Sequence, residues 1–146
     1  PNSMSAPHTP AEVGRLWFDK IWNERDADWV HRLMAPDAIG YLEGGERLVG
    51  PAPFIEFQKQ FLTTVPDLKL EVLDSIADEN SVCVQWQAKG THTGPGMGVG
   101  PSGQPVSFRG VTWFKVKDGQ VTAGHDFWNL GGFMQMLANP PGVANA

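Results

Sequence analysis

The chain has 146 residues, of which 41% are hydrophobic and 18% charged, a composition typical of a folded globular domain and not of a disordered segment. Its net charge is −5, and it contains neither a basic run nor an apolar stretch of about 20 residues, which argues against nucleic acid and membranes as partners. The single cysteine, Cys83, excludes an internal disulfide and fits a reducing compartment, so a cytoplasmic location is expected.

Both ends of the chain are expected to lie outside the domain. Residues 1–4 are interpreted as a remnant of cloning that precedes a natural start at Met4. The last residues, 139–146, have no hydrophobic periodicity and are expected to form a flexible tail. A single domain over residues 5–138 is therefore predicted.

The first half of the domain predicts helices. Thr9, Pro10 and Glu12 have the pattern of a helix start, with a capping residue, a proline in the first turn and a capping box. A second, short helix is predicted from about Asp28. A third helix is predicted after Gly50, with a row of apolar residues on one side: Phe54, Phe57, Phe61 and Val65.

Alternating apolar residues predict strands elsewhere in the domain, and Asp118-Gly119 is the strongest hairpin dipeptide of the chain. The chain order of helices first and strands afterwards favours an α+β domain. A curved sheet can close over helices like a cone and leave a pocket open at one end. The predicted fold is a cone-shaped α+β barrel, with N-terminal helices packed in a curved antiparallel sheet. The main predicted strands are 39–42, 47–49, 81–93, 106–117 and 120–129.

Several segments together resemble one protein family. The chain is similar, in the order and spacing of these segments, to the SnoaL-like polyketide cyclases (ester cyclases) of the nuclear transport factor 2-like superfamily. The resemblance implies a fold like that of ketosteroid isomerases, a homodimer and no cofactor. It also implies closure of a polyketide ring by an intramolecular aldol step, with an aspartate of the last strand as acid/base. The matching segments are 22–26, 33–38, Gly50, 65–68, 90–94, 118–121 and 128–137.

Asn129 stands at the position that matches this aspartate in the resemblance. An amide only donates and accepts hydrogen bonds, so it cannot replace a carboxylate as a general base. Two readings follow from this difference. Either another residue performs the acid/base chemistry, or the pocket binds a small molecule without catalysis.

His125 is the first candidate for that acid/base role. Strand alternation places His125, Phe127 and Asn129 on one face, which is predicted to line the pocket. Imidazole titrates near neutral pH and can relay a proton, with Asn129 orienting the substrate or stabilising an oxyanion; the alternative is an inert, hydrogen-bonded histidine. Asp126 would then point to the opposite face as a surface or interface carboxylate, unless a bulge near Gly124 brought it round.

Two further polar residues are secondary candidates. His92 ends a strand on the face that carries Trp86, where it either acts on the substrate or ties down the following loop. Tyr41, the only tyrosine, either donates a hydrogen bond to a substrate oxygen or simply packs. His92 and His125 lack the short spacing of common metal sites, so no metal is expected.

The substrate is expected to be an apolar, carbonyl-bearing small molecule, because aromatic residues dominate the predicted pocket. The loop 94–105 is interpreted as a flap that carries Met97 at its tip, or else as a flexible connection. The predicted substrate-binding residues are Tyr41, Trp86, Phe127, Phe57, Phe61, Trp17 and Met97.

Three functional classes are considered for this chain. The first is a cofactor-independent enzyme that performs cyclisation, isomerisation or hydrolysis, as a lyase or isomerase. The second is a non-catalytic protein with the same pocket. The third is a scaffold whose exposed sheet mediates assembly. Independently of these classes, Trp113 on the predicted outer face is too large and apolar to stay bare, which favours a homodimer through that face.

Overall fold

The computed structural model describes residues 6–138; the predicted remnant 1–4 and tail 139–146 lie outside the described residues. Among the described residues, no helix is long and apolar enough to span a membrane. The helices are α1 (Pro10–Leu16), which continues into a π-helical segment (Trp17–Asn23), α2 (Ala27–Leu33), α3 (Pro51–Thr64) and α4 (Leu130–Ala138).

The strands form one curled sheet that is not closed, with the order β2-β1-β6-β5-β4-β3. Neighbouring strands are antiparallel, except that β1 and β6 run parallel. The predicted α+β architecture is confirmed. The strands are β1 (Met34–Tyr41), β2 (Arg47–Val49), β3 (Lys69–Ala77), β4 (Ser81–Thr91), β5 (Pro105–Lys117) and β6 (Gln120–Trp128).

The predicted start of α1 is confirmed in detail. The Thr9 hydroxyl accepts a hydrogen bond from the Glu12 amide at 3.2 Å, and the Glu12 carboxylate accepts one from the Thr9 amide at 2.8 Å. These two bonds satisfy amides that a helix start leaves without partners. Strand β1 begins at Met34 and includes Pro36, which has no backbone N–H to donate. The proline is tolerated because the pairing of β1 with β6 is interrupted between Met34 and Ile39.

Asn23 at the end of the π-helical segment fixes this segment to the sheet edge. Its amide nitrogen donates to the Leu70 carbonyl at 2.7 Å, and its amide oxygen accepts from the Leu70 amide at 2.9 Å. Arg25 adds a bond to the Leu68 carbonyl at 3.1 Å. Asn23 therefore pairs with β3 as the backbone of a neighbouring strand would, and Arg25 binds the residue just before β3.

The interior between helices and sheet is packed with aromatic rings. Trp17 lies between Phe54 of α3 and Phe114 of β5, with ring centroids 5.0 and 5.2 Å away. The ring of Trp22 is nearly perpendicular to those of three phenylalanines of α3. Such tilted and edge-on pairs add to the free energy gained from burying apolar surface.

Strand β6 carries one extra residue, which decides which side chains face inward. Lys115 pairs with Ala123, but the next residue of β5, Val116, pairs with Val121, so Thr122 has no partner in β5. This β-bulge moves the side chains that follow it to the opposite face. The uninterrupted alternation predicted for this strand is therefore wrong, and Asp126 faces the interior.

His125 lies on the outer face of the sheet as a result. Its ring stacks between Tyr41 of β1 at 4.6 Å and Trp113 of β5 at 4.9 Å. Phe127 follows on the same face with 55% of its surface exposed. The predicted inward orientation of His125 and Phe127 is wrong, because the bulge precedes both. The homodimer expected from the exposed Trp113 stays a prediction.

Candidate active site

A cavity of about 80 Å³ lies between the N-terminal helices, α3 and the inner face of the sheet, and it opens to solvent. Its walls are mainly aromatic and aliphatic. Among the described residues that line it, Asp126 is the only one with a charged side chain. Five of the residues predicted to line a pocket do line it, while their contact with a substrate stays a prediction; these are Trp17, Tyr41, Phe57, Phe61 and Trp86.

Asp126 is held by a chain of two hydrogen bonds that crosses three strands. Thr112 of β5 is its direct partner in the register, and the Thr112 hydroxyl donates to Asp126 Oδ1 at 2.7 Å. Trp86 of β4 donates its indole N–H to the same hydroxyl at 2.9 Å. Both Trp86 and Thr112 are buried, so the geometry of the carboxylate is fixed from within the sheet.

Burial among apolar side chains raises the pKa of Asp126 from its ordinary value to about 6. The hydrogen bond from Thr112 opposes this rise in pKa, because it stabilises the ionised carboxylate. The negative charge of Glu43 adds to the rise. A carboxyl group with such a pKa changes protonation state close to neutral pH, which is what a general acid/base needs.

Glu43 belongs to the turn between β1 and β2. Its Oε2 accepts a hydrogen bond from the Trp128 amide at 3.1 Å, which fastens this turn to the end of β6. Because Asp126 lies two residues earlier on β6, the bond also holds the Glu43 charge near the cavity carboxylate. Sequence reasoning gave Glu43 no role.

Replacing Glu43 with glutamine is expected to lower the pKa of Asp126, because the substitution removes a like charge while a side-chain oxygen remains to accept from Trp128. A base that must be ionised would then stay active to a lower pH. NMR titration of the Asp126 carboxyl measures the change. Glu46→Gln, in the same turn, is the control and should leave the pKa of Asp126 unchanged. An unaltered titration in Glu43→Gln would contradict the assigned cause.

Gly110 makes room for the hydrogen-bond chain. It lies between Trp86 and Trp128 in the sheet register. A β-carbon at Gly110 would lie 2.7 Å from Cζ2 of Trp86 and 2.6 Å from Cβ of Trp128. The indole of Trp86 can therefore pass over Gly110 and reach Thr112 only because Gly110 has no side chain. Sequence reasoning did not single out Gly110 or Thr112.

Asn129 does not reach the cavity, so its predicted orientation toward the pocket is wrong. It is exposed, and its side-chain oxygen accepts a hydrogen bond from the Gly132 amide at 2.8 Å. The Asn129 carbonyl accepts another from the Phe133 amide at 3.0 Å. This is the geometry of an N-terminal cap, and Asn129 caps α4 where β6 ends.

Asn129→Ala is expected to destabilise the protein by about 0.5–2 kcal/mol, the usual cost of losing such a cap. Urea unfolding measures the change, and Asn129→Ser, which keeps a capping oxygen, should recover most of the lost stability. Turnover per folded molecule is expected to stay the same in both variants. A large loss of turnover with unchanged stability would instead assign Asn129 to the reaction.

His92 is fully buried at the base of the loop that joins β4 and β5. Its Nδ1 lies 2.9 Å from the Ser102 hydroxyl, and its backbone bonds to Gly103 and Gln104 at 2.8 Å each. Its Nε2 has no hydrogen-bond partner among the described residues. The described cavity wall does not include His92, so its contacts fasten the loop; a catalytic role stays a prediction.

The two remaining predicted site residues differ in their relation to the cavity. Tyr41 contributes to its wall, but the ring lies against His125 on the outer face. Met97 is not part of the described wall and packs, partly buried, against the hydrophobic core. Its loop is tied to the end of α3, where the Gly94 amide donates to the Thr64 carbonyl at 3.1 Å.

No group of three or more His, Cys, Asp or Glu side chains that could hold a metal ion occurs between residues 6 and 138. His92, one of the two histidines considered for such a site, is buried at the base of the loop between β4 and β5, whereas His125 stacks on Trp113 on the outer face of the sheet.

The chain is similar to a known protein family and to solved structures. A family model described as SnoaL-like polyketide cyclase matches residues 12–137. A candidate SnoaL-like polyketide cyclase from Jannaschia sp. CCS1 is 29% identical, with a TM-score of 0.84 over 90% of this chain and 93% of that one. AclR, a candidate hydroxylase from Streptomyces galilaeus, is 30% identical, with a TM-score of 0.76 over 92% and 86%.

A more distant structure shares the fold. IdmH, a candidate polyketide cyclase from Streptomyces antibioticus, is 22% identical, with a TM-score of 0.79 over 90% of this chain and 100% of that one. A search of curated proteins finds no significant match.

Proposed function

This chain belongs to the SnoaL-like polyketide cyclase family, and we propose that it is a cofactor-independent enzyme of acid/base chemistry. Its substrate is an apolar, carbonyl-bearing, polyketide-like small molecule, and the reaction is a cyclisation or a related proton transfer. One observation carries this proposal: of the described residues that line the aromatic cavity, Asp126 alone has a carboxylate, and its pKa is raised to about 6.

The chemistry needs one group that takes a proton and later returns it. The Asp126 carboxylate removes a proton from a carbon next to a carbonyl group, and the electron pair of the C–H bond moves onto the carbonyl oxygen as an enolate. The enolate carbon then attacks a second carbonyl of the same molecule and forms the new C–C bond. The resulting alkoxide takes the proton from the Asp126 carboxyl, which restores the carboxylate.

The cavity supports an apolar and flat substrate. Its wall contains aromatic rings from both the helices and the sheet, including Trp17, Phe57 and Phe108. Such walls bind hydrophobic ligands, and a small number of polar groups fixes their orientation. Among the described residues, those polar groups are concentrated at Asp126 and Thr112 on the sheet side.

The proposed function depends on Asp126 of this chain, and the names of the similar solved structures only add support. One neighbour is named as a candidate cyclase and another as a candidate hydroxylase, and one fold can host different reactions. The alternative of a non-catalytic binding protein depended on Asn129 at the place of the acid/base residue. Because Asn129 caps α4 and Asp126 supplies a carboxylate, the enzyme is the better account.

Proton abstraction can be tested before the true substrate is known. The protein is incubated in D₂O with a panel of aromatic β-ketoesters and polyketide-like ketones, and NMR follows deuterium incorporation at the carbon next to the carbonyl. The wild type is expected to accelerate exchange for at least one compound that binds. Binding without accelerated exchange for any compound would favour the non-catalytic protein and overturn the proposal.

A further inference from the structure

The oxygens of the Asp126 carboxylate have different surroundings. Oδ1 accepts the hydrogen bond from the Thr112 hydroxyl at 2.7 Å. Oδ2 has no hydrogen-bond partner among the described residues, and it is accessible to solvent because Asp126 lines the open cavity. One oxygen is thus held by the protein, and the other is left for the substrate.

The direction of the hydrogen bonds follows from the chemistry of the groups. An indole N–H donates only, so the Thr112 hydroxyl must be the acceptor of its bond to Trp86. A hydroxyl has one proton, and this proton is then available to Asp126. Asp126 Oδ1 is therefore the acceptor of the second bond. Among the described residues, Oδ1 is the only acceptor within hydrogen-bond distance of the Thr112 hydroxyl, so turning the hydroxyl proton away would leave a buried O–H without a partner.

We propose that Thr112 is a positioning residue for the acid/base group: through the hydrogen bond that it donates to Oδ1, it assigns the carboxyl proton to Oδ2. An Oδ1 that already accepts from Thr112 is a poor site for a proton, because the two hydrogens would face each other. The carboxyl proton therefore favours the oxygen that faces the cavity. The placement of the proton stands on the hydrogen bonds alone, whereas its consequence for turnover rests on the proposed function.

The sheet is built so that this arrangement is rigid. Thr112 lies directly opposite Asp126 in the β5–β6 pairing, and Trp86 reaches Thr112 across Gly110. Thr112 has 6% of its surface exposed and Trp86 has 5%. Water therefore has little access to either group and cannot readily replace one of the two hydrogen bonds.

Infrared spectroscopy tests where the proton lies. At pH 4 the protonated Asp126 is isolated as the difference spectrum against Asp126→Asn. With the proton on Oδ2, the carbonyl oxygen is Oδ1 and accepts from Thr112, which lowers its stretching frequency. Thr112→Val is therefore expected to raise the frequency, and Thr112→Ser, which keeps the hydroxyl, to restore it. An unshifted band in Thr112→Val would overturn the proposal.

Thr112→Val leaves the Trp86 N–H without a partner, so its melting curve is recorded beside the spectra. If this variant does not fold, Trp86→Phe provides an independent measurement. Without the indole N–H, the Thr112 hydroxyl loses one of its two hydrogen bonds and rotates more freely, so it accepts a bond from Oδ1 in a larger share of molecules. A second carbonyl band at higher frequency is then expected from molecules with the proton on Oδ1. A single band at the wild-type position would contradict the role of Trp86.

Kinetics separate positioning from a merely structural role. In the deuterium-exchange assay, Thr112→Val is expected to lower kcat by ~10- to ~100-fold, the value of a hydrogen bond to a charged group, with little change in KM. Its pH profile should shift to higher pH, because the lost bond stabilised the ionised form. Thr112→Ser should recover both. A wild-type kcat and pH profile in Thr112→Val would refute the positioning role.

The two proposals can fail separately. If the carbonyl band shifts as expected but the wild type exchanges no deuterium, then Thr112 positions the proton and the proposed enzymatic function is wrong. If the wild type exchanges deuterium and Asp126→Asn does not, while Thr112→Val leaves the band in place, then the function stands and the positioning role is wrong.

Discussion

Asp126→Asn is expected to reduce turnover by about 10²- to 10⁴-fold, the usual contribution of a general acid/base. The asparagine has nearly the same shape and keeps an oxygen that accepts from Thr112, but it cannot take up or return a proton. Substrate binding should be retained, because the aromatic walls of the cavity are unchanged. The deuterium-exchange assay, combined with a binding measurement by fluorescence of the cavity tryptophans, separates the two effects.

The matched control is the adjacent residue of the same strand. His125 lies on the outer face between Tyr41 and Trp113, so His125→Ala changes no atom of the described cavity wall. It is expected to keep the exchange activity of the wild type. A result with the opposite order, in which His125→Ala is inactive and Asp126→Asn is active, would return the acid/base role to the histidine.

Asp126→Asn is also expected to change stability in a pH-dependent way. The pKa of Asp126 is raised to about 6 in the folded protein, above its ordinary value of 3.8, so the folded state holds the proton more tightly than the unfolded state. The wild type therefore loses stability relative to the variant as pH rises from about 4 to about 6. Above pH 6, this loss in the free energy of unfolding of the wild type, relative to the variant, is expected to reach about 3 kcal/mol. Urea unfolding at pH 4 and pH 8 measures it, and equal differences at both pH values would contradict the raised pKa.

Gly110→Ala is expected to destabilise the protein and to break the Trp86–Thr112 bond. The new methyl group would lie 2.6–2.7 Å from atoms of Trp128, Phe127 and Trp86, including the Phe127 carbonyl oxygen. The strands must separate or the indole must move, and overpacking of this kind typically costs about 1–3 kcal/mol. Thermal or urea unfolding measures the loss, and the tryptophan indole N–H signal in NMR reports whether Trp86 keeps its partner.

Gly124→Ala, on the neighbouring strand, is the matched control for Gly110→Ala. A β-carbon at Gly124 would meet only Phe114 side-chain atoms, at 3.6 and 3.9 Å, which is ordinary van der Waals contact. This variant is expected to fold with nearly the stability of the wild type. Equal tolerance of alanine at both positions would show that the close approach of Trp86 and Trp128 around Gly110 does not constrain the site.

Much of the fold can be predicted because it depends on short-range chemistry. The capping box of Thr9 and Glu12 starts α1 as expected. Asp118 and Gly119 have positive φ angles of 52° and 78°, which the two-residue turn between β5 and β6 requires. The apolar spacing of α3 likewise places Phe57 and Phe61 against the interior. Each of these features is decided within a few residues of the chain.

The candidate site could not be predicted in the same way, since it depends on which face of β6 is buried. From the turn at Asp118-Gly119, uninterrupted pairing would place His125 opposite Thr112. The bulge at Thr122 moves the register by one residue and places Asp126 there instead. Gly124 is the only local sign of an irregularity, and it lies two residues away from the bulge.

The sequence by itself determined the α+β class, the helix starts, the hairpin turn and the aromatic character of the cavity, because these follow from local propensity and apolar periodicity. Only the tertiary structure decided which residue of the last strand supplies the acid/base group. The bulge occurs where β6 pairs with β5 on one side and with an interrupted β1 on the other, and its effect is to turn Asp126 inward and His125 outward. The face of β6 that is buried depends on pairing with strands that are distant in sequence. Side chains alternate regularly on both sides of a bulge, so the local sequence does not show where the bulge occurs.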